Sequence, residues 1–257
     1  MSSTRGAGSP SGRAAWAALV WPVAVFLTGV LFALPAAPAG APATETSPPT
    51  ANPTSLSTSG TPPTADPISP PASPATDALH LLETIAPAQQ ATPGYVRAAF
   101  GPGWGDPDRN GCDARNDVLA RDLTEVVFRA GTRDCVVHSG ILHDPYTGLT
   151  IDFLRGNTTS VLVQIDHVVP LAWAWSYGAS GWTDRERADF HSDAANLLAV
   201  DGDVNQSKSA KGPSKWLPPN ADFHCEYAIT WVTVLSAYEL TIPGDDRKEL
   251  ELVLRAC

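Results

Sequence analysis

Two stretches decide how the centre of this chain folds, residues 165–171 (IDHVVPL) and residues 193–208 (DAANLLAVDGDVNQSK). The first ends a β-rich apolar run, VLVQIDHVVPL, which Pro170 stops because proline cannot donate to a sheet ladder. The second predicts a short strand at residues 196–200, followed by a helix that begins within residues 201–208. The centre is therefore expected to contain two strands and then a helix, with helical pieces inserted between the strands.

The flanking sequence predicts further local elements. Apolar residues at helical spacing predict a helix over residues 77–92, ended by Pro93-Gly94. A short helix is expected around VLARDL (118–123). Residues 135–154 indicate a β-hairpin, because two strand-like runs flank the turn composition DPYTG.

The inserted and terminal pieces are predicted to be helical. Thr183 and Glu186 have the spacing of a capping box at the start of a helix. Residues 223–257 predict two C-terminal helices. Helices and strands without βαβ alternation indicate the α+β class.

The first 39 residues have the pattern of a secretory signal. Arg5 and Arg13 precede an uncharged apolar run at residues 14–34, and small-x-small cleavage sequences follow. The run is also long enough to span a bilayer, so an uncleaved membrane anchor is the alternative. We expect a secreted or extracellular protein, whose only membrane contact would be this segment if it is retained.

Composition divides the rest of the chain into two parts. Residues 40–76 are dominated by Pro, Ser, Thr and Ala, and such a segment buries too little apolar surface to fold, so a disordered linker is predicted. Residues 77–257 are predicted to form one globular domain, because their length suits a single core.

The four cysteines all fall in this domain. An even number of cysteines in an exported protein favours disulfides. Three pairings are open; we favour Cys112–Cys135 and Cys225–Cys257, since each closes a moderate loop. A structural zinc site is the competing interpretation, and the lack of a C-x-x-C pair counts against it.

The formal net charge is −10, and residues 77–257 carry all of it because the four earlier charges cancel. Such a field repels polyanions and excludes a protein that coats nucleic acid tightly. It does not exclude an enzyme that meets a polyanion locally. Lys208, Lys211 and Lys215 form one local basic patch.

Asp166 and His167 suggest hydrolytic chemistry at the end of a strand. Neighbouring strand residues point to opposite sides, so a phosphodiester could meet an imidazole base and a carboxylate-held cation together. Asn205 can supply a second hard oxygen ligand of the kind Mg²⁺ accepts. Asn196 could hold the strand, turn and helix together, and Lys208 would lie one helical turn after Asn205.

The chain resembles the ββα-metal, or HNH, nuclease motif because it has, in this order, Asp166-His167, Asn196, Asn205 and Lys208. His167-Val-Val-Pro170 is similar to the His-x-x-Pro signature of the nuclease domain that ends GmrSD-type restriction enzymes. GCDARNDVLARDL, DPYTG, KWLPP and CEYAITWV resemble stretches of small exported actinobacterial proteins of this group. The resemblance implies a ββα-metal core with an added N-terminal hairpin and C-terminal helices. The helical pieces at residues 171–193 would then be an insertion.

The resemblance also implies roles for single residues. His167 would be the general base of an endonuclease acting on DNA or RNA, and Asn196 the orienting residue of the motif. Asp166 and Asn205 would hold one divalent cation. Mg²⁺ is the expected ion, with Mn²⁺ and Ca²⁺ as alternatives, and an Asn at the third position disfavours Zn²⁺. Hydrolysis would leave a 5′-phosphate and a 3′-hydroxyl. Lys208 and Lys211 are predicted to contact substrate phosphates, and no protein partner is implied.

Structural interpretations compete with these roles. The rival function is a non-catalytic exported binding or wall-associated protein that keeps the fold. A histidine beside proline at a strand end is often structural. Four further histidines are interpreted as non-catalytic, with His143 as the one that could line a cleft: His138, His143, His191 and His224. Arg115, Asp117 and Asp122 are predicted to form a supporting ion network. Five tryptophans are expected in the core or a groove wall: Trp173, Trp175, Trp182, Trp216 and Trp231.

Overall fold

The computed structural model describes residues 73–257, and this part of the chain has the predicted α+β fold. Its helices are α1 (Pro74–Thr84), α2 (Ala114–Asp122), α3 (Leu171–Ser176), α4 (Asp184–Ser192), α5 (Gly202–Lys208), α6 (His224–Ala237) and α7 (Gly244–Ala256). Its strands are β1 (Leu123–Phe128), β2 (Val137–His143), β3 (Thr150–Leu154), β4 (Val163–His167) and β5 (Leu197–Asp201). The predicted signal or anchor at residues 1–39 lies outside the described residues. None of the helices just given has the length and apolar character needed to cross a membrane.

The first helix differs from its prediction at both ends. It begins at Pro74, inside the predicted linker, because the Ser73 hydroxyl accepts a hydrogen bond from the Thr76 amide at 3.2 Å and proline suits a first helical position. It ends at Thr84 rather than near residue 92. Pro87 disfavours helical backbone just before it and instead pairs with Ile242.

A three-stranded antiparallel sheet, in the order β1-β2-β3, contains the predicted hairpin. Its turn is closed by Asp144, whose carboxylate accepts from the Thr147 amide at 3.0 Å. Strand β1 is an element that the sequence analysis missed. A bulge between Thr124 and Val127, with Glu125 at φ 51°, breaks the alternation by which strands are recognised.

Two hydrophobic clusters hold the described residues together. Helices α1, α6 and α7 pack around one cluster, which includes the fully buried Trp231 and Leu82. Helix α2 packs against both sheets in the other cluster, which includes Leu119, Phe153 and Ile165. The second cluster joins the hairpin sheet to the strand that carries Asp166 and His167.

Both favoured disulfides are present. Cys112–Cys135 joins the loop before α2 to the loop before β2, and Cys225–Cys257 joins the first turn of α6 to the C-terminus. No cysteine remains free for the alternative zinc site.

The predicted insertion separates β4 from β5, and it contains α3 and α4. The capping box of α4 is confirmed. The Thr183 hydroxyl accepts from the Glu186 amide at 3.2 Å, and the Glu186 carboxylate accepts from the Thr183 amide at 2.7 Å. This cap fixes the start of α4, whose last turn lies against the candidate base.

Candidate active site

Strands β4 and β5 and helix α5 form the predicted ββα unit. The strands pair antiparallel, with His167 opposite Leu197, and α5 follows β5 directly. The Asp201 carboxylate caps α5 by accepting from the Val204 amide at 2.8 Å. Gly202 is required at this corner, because a Cβ there would lie 2.0 Å from the Val161 carbonyl oxygen.

His167 is buried at the end of β4, and one of its ring nitrogens has a defined partner. Nε2 lies 2.8 Å from the backbone oxygen of His191 on α4. Because a carbonyl only accepts, Nε2 must carry the proton and Nδ1 the lone pair. Burial lowers the pKa of His167 to about 3, so its ring is neutral at neutral pH.

Asp166 has two charged or polar partners. The Tyr146 hydroxyl donates to Oδ2 at 2.6 Å, and the Lys208 ammonium lies 2.9 Å from Oδ1 and 2.8 Å from Oδ2. Burial raises the pKa of Asp166 and lowers the pKa of Lys208, whereas their mutual attraction acts against both shifts. The ion pair and the Tyr146 hydrogen bond therefore favour the ionised form of Asp166, which burial disfavours.

This geometry corrects the phosphate role predicted for Lys208. Its side chain is 0% exposed, and its ammonium also donates to the His167 backbone oxygen at 2.8 Å. Spacing predicted that Lys208 lies one helical turn after Asn205, but it did not indicate depth. The side chain is buried against Asp166 and His167 instead of facing solvent.

Asn196 is fully buried and acts on the backbone that follows His167. Its amide oxygen accepts from the Val169 amide at 2.8 Å, and its amide nitrogen donates to the Val169 oxygen at 3.1 Å. Its backbone oxygen accepts from the Val168 amide at 2.9 Å. The side chain is thus placed to orient the chain after the base and not to contact a substrate.

Asn205 on α5 lines the same cleft as Asp166. Its amide nitrogen donates to the Gln164 side-chain oxygen at 3.0 Å, and this leaves the Asn205 oxygen as the atom available for another ligand. Asp166, His167 and Asn205 line one cleft of about 300 Å³. In the part of the chain that the structure describes, no group of three His, Cys, Asp or Glu residues could hold a metal.

The donors present nonetheless fit a hard divalent cation. Asp166 and Asn205 both offer oxygen, and Mg²⁺ commonly takes one or two protein oxygens and keeps several waters. The Lys208 ammonium shares the same carboxylate, so a cation here would meet a partly neutralised ligand. The cation held by these two residues remains a prediction.

Three residues around His167 were not predicted as part of the site: Arg97, Trp104 and His191. Trp104, His167 and His191 have nearly parallel rings, with centroids 4.9–5.6 Å apart. Arg97 lies 3.1 Å from His191 Nε2, and because guanidinium only donates, this nitrogen accepts. Burial and Arg97 lower the pKa of His191 to about 4. Trp104 and Arg97 lie in a Gly/Pro-rich region without periodicity, and no local signal singles them out.

The expected placement of the five tryptophans is confirmed. Trp173 and Trp231 are buried in the core, and Trp175, Trp182 and Trp216 pack against it. The tryptophan that lines the cleft is Trp104. His143 is exposed on β2 and does not line the cleft, in agreement with its interpretation as a non-catalytic residue.

The ion network predicted for Arg115, Asp117 and Asp122 is wrong. Asp122 pairs with Arg121 at 2.6 Å, and Asp117 accepts from Asn110 at 3.1 Å.

Lys211, the second predicted phosphate contact, is exposed. Its ammonium donates to the Ser207 backbone oxygen at 2.7 Å, next to Ser209 and Ala210 of the cleft wall. Contact with a phosphate remains a prediction for this residue.

Comparison with known proteins identifies the family. Residues 113–249 match the family described as GmrSD restriction endonucleases, C-terminal domain, and the chain belongs to this family. A protein of Arthroderma benhamiae, named "Uncharacterized secreted protein", is 37% identical over 176 residues, which cover 68% of this chain and 80% of that protein. No solved structure matches the chain.

Proposed function

We propose that this protein is an exported, metal-dependent endonuclease that hydrolyses phosphodiester bonds of DNA, with RNA as a second substrate to test. The observation that carries the proposal is the state of His167. Its Nε2 is held by the His191 carbonyl, its ring is neutral, and it shares a cleft with Asp166 and Asn205. Membership of a nuclease family supports a nucleic-acid substrate.

In this mechanism His167 is the general base. Its Nδ1 takes a proton from a water molecule, and the water oxygen bonds to phosphorus. The bond from phosphorus to the 3′ oxygen breaks, the departing oxygen takes a proton from solvent water, and His167 returns its proton to solvent. The products are a 5′-phosphate and a 3′-hydroxyl. The His191 carbonyl keeps the ring in the tautomer that this step requires, and Asn196 keeps the following backbone in place.

Asp166 and Asn205 would hold the divalent cation, with Mg²⁺ expected and Mn²⁺ or Ca²⁺ as alternatives. When bound, such a cation supplies positive charge that stabilises the departing oxygen. Tyr146 and Lys208 position Asp166 and favour its ionised form. Lys211 is proposed to contact a neighbouring phosphate from its exposed position just after α5.

Export is part of the same proposal. We assign residues 1–39 as a signal peptide or an anchor through residues 14–34, residues 40–76 as a linker and residues 77–257 as the nuclease domain. Two disulfides support an oxidising compartment, and the relative from Arthroderma benhamiae carries the word secreted in its name. Fractionation of cells that express the full chain would show whether the protein is in the medium, as for a cleaved signal peptide, or in the membrane fraction, as for an anchor.

The decisive experiment is cleavage of plasmid, single-stranded DNA and RNA by the protein made from the full chain. Each substrate is tested with Mg²⁺, Mn²⁺, Ca²⁺ and EDTA. His167→Ala is compared with His143→Ala, an exposed histidine outside the cleft. We expect metal-dependent cutting that His167→Ala reduces by at least about 100-fold and that His143→Ala leaves unchanged.

Other results would overturn the proposal. Equal cutting by His167→Ala and the native protein would exclude His167 as the base. A native protein that binds nucleic acid or metal without cutting under any condition would favour the non-catalytic binding protein instead.

A further inference from the structure

The cleft has a wall that lies outside the family-matched region. Residues 93–105 precede the match at residues 113–249, yet Tyr95, Arg97 and Trp104 line the same cleft as the proposed base and cation ligands. A segment that contributes to an active site must be held in place, and this one is held at both ends.

Several contacts hold the segment. At one end, the Trp175 indole of α3 donates to the Pro93 oxygen at 3.1 Å. At the other end, the Gly105 amide donates to the Ser192 hydroxyl of α4 at 2.9 Å. Between these ends, the ring centroid of the fully buried Phe100 lies 6.3 Å from that of Phe190. Phe100 is the last residue of the 3₁₀ turn Arg97–Phe100. The backbone around Arg97 is therefore anchored to the inserted helices.

Among residues 73–257, Arg97 is the single arginine or lysine that lines the cleft. Lys208, which was predicted to contact a substrate phosphate, is buried against Asp166. The candidate site thus contains a carboxylate already paired with one lysine, and a separate, exposed cation in its wall. A phosphodiester entering this cleft would meet that second cation.

The charge of Arg97 is not neutralised by a carboxylate. In the described part of the chain no Asp or Glu oxygen lies within 4.0 Å of its guanidinium, whereas Arg121, Arg185 and Arg187 each pair with an aspartate. Its one side-chain partner is the neutral ring of His191 at 3.1 Å. A guanidinium has five N–H donors in a planar fork, so the others remain for an anion.

The geometry points to Arg97 as the residue that binds the phosphate of the substrate, and we propose that residues 93–105 form part of the substrate site. This rests on the proposed nuclease function. The ligand class is a phosphodiester, whose two non-bridging oxygens suit a bidentate contact with guanidinium. His191 would orient Arg97 while its backbone oxygen orients His167, so one residue would set both groups.

The first test is binding of a fluorescein-labelled single-stranded oligonucleotide to the full chain in EDTA, over a series of salt concentrations. Arg97→Ala is expected to weaken binding by about tenfold. It should also reduce the slope of log affinity against log salt by about 0.7, the loss expected for one phosphate contact on a single strand. Arg97→Lys should keep the slope and recover part of the affinity.

Arg185→Ala is the matched control. Arg185 lies at the start of α4, the opposite end from His191, is 85% exposed and pairs with Asp189, so its loss should change neither affinity nor slope. Far-ultraviolet circular dichroism and unfolding by urea establish that each variant is folded.

The second test separates substrate binding from positioning of the base. In cleavage assays Arg97→Ala should raise KM with a smaller change in kcat. A fall in kcat with unchanged KM and an unchanged salt slope would overturn the proposal, because Arg97 would then act only through His191. If the native protein cuts but its affinity does not depend on Arg97, the proposal fails and the nuclease function stands. A native protein that neither binds nor cuts overturns both.

Discussion

Helix α5 and the 93–105 segment each bring a cation to the neighbourhood of His167, and the two cations have different surroundings. Lys208 of α5 is 0% exposed and lies between the Asp166 carboxylate and the His167 backbone oxygen. Arg97 of the segment is exposed and has a neutral histidine as its side-chain partner. A cation whose charge is matched inside the protein stabilises the site. A cation whose charge is unmatched can attract a ligand.

The largest expected effect is on the buried cation. Lys208→Ala leaves the Asp166 carboxylate buried without its counter-ion, and the free energy of unfolding should fall by about 3–5 kcal/mol. Arg97→Ala, which removes an exposed side chain, should change it by about 0.5 kcal/mol or less. Urea unfolding of both variants measures the difference. Similar losses in both would remove the distinction between a structural and a substrate-facing cation.

The disulfides should have the next largest effect. Cys112–Cys135 and Cys225–Cys257 close loops of 23 and 32 residues, and loss of either should cost about 2–5 kcal/mol. Loss of Cys112–Cys135 should disturb the 93–105 segment of the cleft more than loss of Cys225–Cys257, because Cys112 lies close in sequence to that segment and Cys257 does not. Paired Cys→Ser variants, followed by melting with and without reductant, test this. A melting temperature that reductant leaves unchanged would contradict it.

A smaller effect is expected from the hydroxyl that supports Asp166. Tyr146→Phe removes the 2.6 Å hydrogen bond but leaves Lys208 in place, so the free energy of unfolding should fall by about 1.5–3 kcal/mol. Tyr227→Phe is the matched control. Both tyrosines are fully buried, and the Tyr227 hydroxyl has no hydrogen-bond partner within residues 73–257, so its loss should be neutral or slightly stabilising. Equal losses would show that the Asp166 contact contributes little.

The smallest expected effect concerns His191, the residue that joins the two regions. Its pKa is lowered from 6.5 to about 4, so the unfolded chain binds its proton more readily. This group therefore stabilises the fold above pH 6.5, and the stabilisation is lost as pH falls through about 4. The native protein should lose free energy of unfolding between about pH 7 and about pH 5, and His191→Gln should make this loss smaller by about 1 kcal/mol. His143→Gln, at an exposed position, should leave the loss as it is in the native protein. Identical pH profiles for the native protein and both variants would contradict this role of His191.

Spacing and composition predicted the elements that are determined by residues close together in the chain. The hairpin, the α4 capping box, the inserted helices and the order of strand, strand and helix follow from periodicity, turn residues and caps that act within a few positions. Strand β1 was missed because a bulge with Glu125 at positive φ disturbs that local pattern. Helix α1 was predicted too long because apolar residues continued beyond Pro87, where the backbone turns to pair with Ile242.

The sequence by itself determined the α+β class, the ββα unit and the set of residues that could carry hydrolytic chemistry, because these depend on neighbours along the chain. Tertiary structure alone decided the environment of each charge. Lys208 meets Asp166 across 42 positions, and Arg97 meets His191 across 94. Whether a lysine is buried or an arginine faces a cleft depends on which distant surfaces pack around it. Burial and pairing set the electrostatic free energy of a charged group, and neither is encoded by local spacing.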